Sequence, residues 1–296
     1  MATNGQPAAL FHWTLDENDG TVAHEVQGLA SGILQGNAQW DPEGGHHSGA
    51  VRFDGVDGRI ILGPCDVMSA TGAFSFSTWV KPDFVTAMER TIGVKTIGPG
   101  TDETIWSLSF INASALRFRL RAGSVIQELS TPPSSIFSGT WYHVVATYDG
   151  SAMRIYLNGS LMAEQGVTGT MGYHPQAPTT IAAQSNAQHP FSGWVDDVRI
   201  YEQGLTDQDV IDILLGNELS TSIHDHAPFF TSDRRAFLPA GAWSHWRLLD
   251  PSGREVRSAR HQATFGTIDL EGLAAGHYLL CLQGGDRSST WPLVVP

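Results

Sequence analysis

The sequence predicts an all-β protein in two parts, and three observations carry that prediction. Apolar and polar residues alternate in short runs along the chain, the period-two signature of strands with one buried face. Each run is bounded by Gly, Asp, Asn or Pro, at the turn spacing of a sandwich or barrel. The 296 residues are 41% hydrophobic and include nine tryptophans, enough for one large core and one small one.

Taken in order, strands are expected at Ala9–Leu15, Val51–Leu62, Phe74–Val80, Trp106–Phe110, Leu116–Arg121, Tyr142–Tyr148 and Met153–Leu157. Asp149-Gly150 joins the last two as a hairpin, and Asn158-Gly159 joins Met153–Leu157 to Leu161–Val167. Both dipeptides tolerate the positive φ angles of tight hairpin turns. A helix is expected at Asp207–Leu215, capped by Thr206, with Asp209 at its third position, an apolar stripe of Val210, Ile213 and Leu214, and Gly216 as its stop. It ends a first domain of residues 1–216. The polar segment 217–231 reads as a linker. In residues 232–296, five short strands (Trp243–Leu249, Glu255–Arg260, Thr267–Leu270, Gly276–Leu282 and Ser289–Val295) imply a small immunoglobulin-like β-sandwich with Trp246, Leu248, Leu280 and Leu282 in its core.

The net charge of −13 falls wholly on residues 1–220, which hold ten Lys/Arg against twenty-three Asp/Glu; the remainder holds seven of each. An acidic body with no basic stripe argues against nucleic acid and anionic membranes as partners. No apolar run is long enough for a membrane helix. Cys65 and Cys281 lie far apart; two free, partly buried thiols are expected, with one interdomain disulfide as the alternative. Met1–Gln6 lacks the basic and apolar regions of a signal peptide, so either such a segment has been removed or export follows another route.

Five landmarks in sequence carry a family resemblance. They are Phe11-His12-Trp13-Thr14-Leu15-Asp16-Glu17; Val51-Arg52-Phe53-Asp54-Gly55-Val56-Asp57-Gly58; Phe74 to Pro82; Trp141 to Gly150, running on to Ile155-Tyr156-Leu157-Asn158-Gly159; and Trp194-Val195-Asp196-Asp197-Val198-Arg199-Ile200-Tyr201. With them the first domain resembles the laminin-G/concanavalin A-like jelly-roll superfamily, which implies a jelly-roll β-sandwich. The second domain, through Leu248 to Val256 and Ile268 to Tyr278, resembles the C-terminal sorting domain of type IX secretion cargo. A plain β-sandwich module of the same pattern is the alternative. Together the resemblances imply a protein displayed or secreted outside the cell.

The first resemblance also implies a structural calcium ion. The Asp of the closing strand is Asp196, with help from Asp16 and the loop after it, where Glu25-Val26-Gln27-Gly28 replaces the family's D-S-S-G and Glu25 becomes the candidate ligand. The other reading of Asp196 is a local hydrogen bond or ion pair to Arg199 or a loop amide. Catalysis has no support of this kind. Paired carboxylates of a glycosidase must flank one bond, and the adjacent Asp196-Asp197 on a regular strand would face opposite ways.

Sugar platforms are expected among aromatics near turns, namely Trp106, Tyr173, His174, His189 and Trp194, with Asn186 and Gln188 adding hydrogen bonds. Trp13, Trp79 and Trp141 fall on strand patterns and read as core, and His46-His47 and His224-Asp225-His226 read as solvated. The expected function is non-catalytic glycan or cell-surface adhesion. The alternatives are an interaction subunit that pairs with a protein partner or self-assembles, and a polysaccharide hydrolase or lyase.

Overall fold

The computed structural model describes residues 9–67, 72–84, 86–98, 103–112, 114–133, 136–216, 229–230, 235–237, 245–250, 254–260, 267–274, 276–284 and 287–295. The chain divides into two compact units at Leu214/Leu215.

The first unit is a sandwich of two eight-stranded antiparallel sheets, its strands numbered in chain order. The first sheet runs β14 (Ser160–Gly166), β13 (Ala152–Leu157), β12 (Tyr142–Tyr148), β7 (Phe74–Pro82), β16 (Ser192–Tyr201), β5 (Ala50–Asp54) and β4 (Gln39–Asp41), with β1 (Phe11–Trp13) also paired to β16. The second runs β11 (Val125–Ser130), β10 (Ala115–Ala122), β9 (Thr104–Ile111), β8 (Arg90–Thr96), β15 (Thr179–Ile181), β6 (Arg59–Gly63), β3 (Gly32–Gln35) and β2 (Val22–Ala23). Alternate residues of both sheets meet between them. Phe53, Phe74, Phe76 and Val80 come from the first, and Leu62, Trp106, Leu108, Phe118 and Leu120 from the second. The predicted jelly roll is the fold observed.

Local chemistry follows the sequence closely at the turns. Asn158 and Gly159 have φ of 49° and 82°, the left-handed pair of a two-residue hairpin. At Asp149-Gly150 only the glycine is left-handed (φ 91°), because Asp149 Oδ1 accepts the backbone N–H groups of Ser151 and Ala152 instead. The helix α1 (Asp207–Leu214) has a reciprocal cap, in which Asp209 N–H donates to Thr206 Oγ1 and Thr206 N–H to Asp209 Oδ2. Val210 and Ile213 bury against Val145, Tyr156 and Tyr201, so α1 covers one end of the first sheet's outer face.

The second unit has a three-stranded sheet, β17 (Phe229–Phe230), β18 (Arg235–Phe237) and β21 (Thr267–Asp269). It also has a four-stranded sheet, β20 (Glu255–Arg260), β19 (His245–Leu249), β22 (Gly276–Gly284) and β23 (Arg287–Val295). Trp246, Leu248, Ile268, Leu270 and Leu280 form its core. The expected linker is shorter than predicted at its far end, because Phe229–Phe230 pairs with Phe237 and Ala236. The rest of the linker, with His224-Asp225-His226, lies outside the described residues, as does the Leu282 side chain. Neither cysteine is in a disulfide.

Candidate functional site

The two outer faces of the jelly roll collect the polar chemistry, and the predicted site residues divide between them. On β10, Leu116, Phe118 and Leu120 point into the core, so Arg117, Arg119 and Arg121 point outward in a row. The row is about 14 Å long at ~3.4 Å per residue. Register sets Ser109 beside Arg117 and Ser107 beside Arg119, and sets Thr91 of β8 beside Ser109. These small residues are buried although they face outward, at 6% exposure for Ser107, 1% for Ser109 and 2% for Thr91. Short beside the long arginines, they form a low strip of this face, a recess that their burial shows to be covered in part by neighbouring side chains.

The loop after β15 forms the other side. His189 O accepts the Thr91 N–H at 2.8 Å, and Gln184 N–H donates to Gln188 O. Glu89 pairs with Arg117 and stands 3.6 Å from Arg119, which also meets Glu128 at 2.8 Å. Burial works against the Glu89 charge, but the Arg117 hydrogen bond and the Arg117, Arg119 and His189 charges hold its carboxyl below the usual range. Ser109 Oγ and Gln184 Oε1 are buried with no hydrogen-bond partner. At the far end of the row Gly172 N–H donates to Arg121 O, which sets exposed Tyr173 and half-buried His174 beside it.

Five of the predicted ligand residues, Tyr173, His174, Asn186, Gln188 and His189, therefore flank this second-sheet recess. Two do not. Trp106 is 1% exposed and packs on Phe74 and Phe76 at ring separations of 4.9 and 5.0 Å, so it is core and not a platform. Trp194 lies on the opposite sheet. The arginine row is legible in the alternation Leu-Arg-Phe-Arg-Leu-Arg from Leu116 to Arg121, and Glu89 and Glu128 pair with two of its three charges.

The outer face of the first sheet is stepped along its strands. Beyond α1 comes a polar level of Ser77, His12, Arg199 and Asp197. Next comes a level of Trp79, His143 and Asp196 under the 44–49 loop, whose His46 ring stacks on Trp79 at 3.3 Å. Trp79 is buried there, on the outer side of the sheet and not between the sheets. His46 is exposed, as expected, and its inner ring face covers Trp79. The last level is an open row across four strands, Arg52, Trp194, Lys81 and the half-exposed Trp141 just before β12. Trp141 is a surface aromatic, not the core residue predicted.

The metal residues do not converge as a set of three. Both Glu25 oxygens are taken by backbone amides, Oε1 by His12 and Oε2 by Gln27 and Leu29, which closes the loop that Glu25 was expected to open to an ion. Asp16 Oδ1 accepts Gly49 N–H, and Asp196 Oδ2 accepts the His46 and His47 N–H groups at 2.8 and 2.9 Å. Asp196 Oδ1 is buried and has no hydrogen-bond partner. Burial pushes Asp196 up to about 7, with the Asp197 and Asp16 charges adding to it and the two amides opposing. Among the described residues no group of three or more His, Cys, Asp or Glu is arranged to hold a metal.

Asp196 and Asp197 do not face opposite ways, as the strand period implied. A bulge between Asp196 and Arg199 puts Asp197 at φ 52° and returns it to the same outer face. There its Oδ1 meets His12 Nε2 at 2.6 Å and accepts from Arg199 Nε at 3.0 Å. Burial opposes its charge, yet His12 and Arg199 hold the carboxyl well below the usual range.

Comparison with known proteins places this architecture. Domain 4 of an extracellular GH43 arabinanase from Geobacillus stearothermophilus, solved with arabinotriose, is 21% identical, with a TM-score of 0.55 over 71% of this chain and 99% of that one. The receptor binding domain of a botulinum neurotoxin C/D mosaic serotype is 15% identical, with a TM-score of 0.55 over 95% and 72%. The sialidase of Trypanosoma rangeli is 16% identical, with a TM-score of 0.53, and the match covers 71% of this chain but only 33% of the sialidase. At these identities the likeness is one of fold. A family model described as the concanavalin A-like lectin/glucanases superfamily matches residues 54–211, more than half of the sequence, and the chain belongs to that superfamily.

Proposed function

We propose that the jelly-roll unit binds a glycan in the second-sheet recess without turning it over. The observation that carries this is the pair of buried, unpartnered oxygens, Ser109 Oγ on the strip of small residues and Gln184 Oε1 in the loop after β15 beside it. A buried polar atom without a partner costs about 1–3 kcal/mol, a cost that a ligand hydroxyl relieves. Arg119 and Glu128 add donors and acceptors, and Tyr173 adds an apolar face, the mixture that sugar recognition needs. The arabinotriose-bound arabinanase domain and superfamily membership support the same reading.

The test is titration of the full chain against a panel of neutral oligosaccharides, with polysaccharide turnover assayed in parallel. Binding is expected to weaken about tenfold or more in Gln184→Ala, with melting temperature little changed, and in Ser109→Leu, whose larger side chain at a buried position also lowers the melting temperature. No binding across the panel, or parent-like binding by both variants, would sink the assignment. Turnover lost in Asp196→Asn would make the protein a hydrolase or lyase.

Two further readings belong to this proposal. A structural calcium ion is held by Asp196 and Asp16, supported by the orphaned Asp196 Oδ1 and by the 44–49 loop that hydrogen-bonds both carboxylates; Glu25 takes no part. The second unit serves as an address for export and display outside the cell, supported by its balanced charge and sorting-domain-like sequence.

A further inference from the structure

The chain has only two lysines. Lys95 is buried and fully engaged, donating to Asp66 Oδ1 at 2.9 Å and to the Pro64 and Ala177 carbonyls. Lys81 is the opposite case. It stands on the outer face of the first sheet with its Nζ 4.2 Å from the Trp194 ring centre and 5.8 Å from that of Trp141. Among the described residues no carboxylate lies within ion-pairing reach of that Nζ and no oxygen accepts a hydrogen bond from it.

Its neighbours are settled. Arg52, the cross-strand partner of Trp194 on the other side, lies 4.3 Å over the same ring and is neutralised by Asp83 at 2.6 Å. Asp83 is held in turn by Ser192 Oγ. Trp194 is thus wedged between two cations, with its Nε1 donating to Asp41 Oδ2 at 2.8 Å. Neither ring face is free for stacking, so Trp194 positions Lys81 and is not itself a platform. Trp141 is held less tightly, with the His46 ring edge-on at 6.1 Å.

We propose that this row is a second ligand site, for a carboxylate-bearing sugar, with Lys81 taking the carboxylate and Trp141 the apolar face of the ring. Three strand spacings of ~4.8 Å make the row about 14 Å long, open to an extended oligosaccharide. A lysine ammonium is a compact point charge, and here Trp rings replace part of its hydration, which strengthens pairing with an anion. The chain's charge of −13 repels an anion at long range, so recognition rests on this contact and not on steering. The site lies on the sheet opposite the recess and does not depend on it.

The experiment compares a hexuronate tetrasaccharide, its methyl ester and a sulfated neutral tetrasaccharide, each titrated into the full chain. The parent is expected to bind the uronate about tenfold more tightly than the ester, the worth of one charge-assisted hydrogen bond. Lys81→Gln should erase that preference, Lys81→Arg should keep part of it, and Ser109→Leu should leave it intact. No uronate binding, equal binding of acid and ester, retention of the preference in Lys81→Gln, or tighter binding of the sulfated sugar would each overturn the proposal. A preference that disappears in Ser109→Leu while Lys81→Gln keeps it would place the anion in the recess and overturn it as well.

Discussion

His143 shows how much a single buried side chain on this outer face commits the molecule to a pH range. It is 1% exposed, shares a hydrogen bond with Ser77 Oγ at 2.8 Å through Nε2, and has no partner at Nδ1. Burial pushes it down to about 3, with the charges of Arg199, His46 and His47 acting in the same direction and Asp197 opposing. In the unfolded chain a histidine titrates near 6.5. Above that value both states are neutral and no stability is at stake. Between about 6.5 and 3 the unfolded chain holds a proton that the native ring refuses, so stability falls as pH drops. The His143 contribution to stability is therefore expected to decline below pH 6.5, against the opposite contribution of Asp196, and His143→Gln should remove up to one proton from the slope. A variant slope equal to the parent's would mean that His143 is accessible to protons in the folded state. At this scale the sequence showed residue types but not facing. Trp106 and Ser107 differ by one position and lie on opposite sides of the sheet, and only the neighbouring strands fix which is which.

At the scale of elements, long strands with alternating burial were legible, and Tyr142–Tyr148 and Glu255–Arg260 keep their predicted limits. The misses have separate causes. β15 has three residues and exists because β6 and β8 flank it. β8 is interrupted by Gly93, whose missing Cβ would lie 2.7 Å from the Phe76 ring, so packing between sheets and not strand propensity chose that residue. The β16 bulge had no sequence signal, since a non-glycine residue, Asp197, takes the left-handed position. That bulge, the 44–49 loop and Asp16 together hold the proposed calcium site. Chelation is expected to lower the melting temperature of the parent, because an ion bound only to the native state stabilises it, by about 2.7 kcal/mol at a hundredfold excess over Kd. Asp196→Asn should be insensitive to chelator. An unchanged melting temperature in the parent would instead leave Asp196 as a buried acid whose work is to accept the His46 and His47 amides.

For the whole molecule, the chain divides into two compact units, and among the described residues their three core clusters, two in the larger unit and one in the smaller, have no member in common. The larger core draws on both eight-stranded sheets, whereas among the described residues the smaller unit buries Trp246, Leu248, Ile268, Leu270 and Leu280. A unit that small, Leu215–Pro296, leaves little margin, since small β-domains bury too little apolar surface to be far from their stability limit. Leu280 is fully buried, and truncating such a leucine typically costs about 2–5 kcal/mol. Leu280→Ala is therefore expected to lower or abolish the second unit's transition in calorimetry. The transition of the larger unit, and its binding to oligosaccharides, should stay where they are. That separation is also what an address module requires, because it can then be altered without touching the recess or the Lys81 row. One transition for the whole chain, or a shift of both transitions by Leu280→Ala, would show that the units fold as a single cooperative body. The second unit's role would then include stabilising the first, and display could not be separated from binding by mutation in either unit alone.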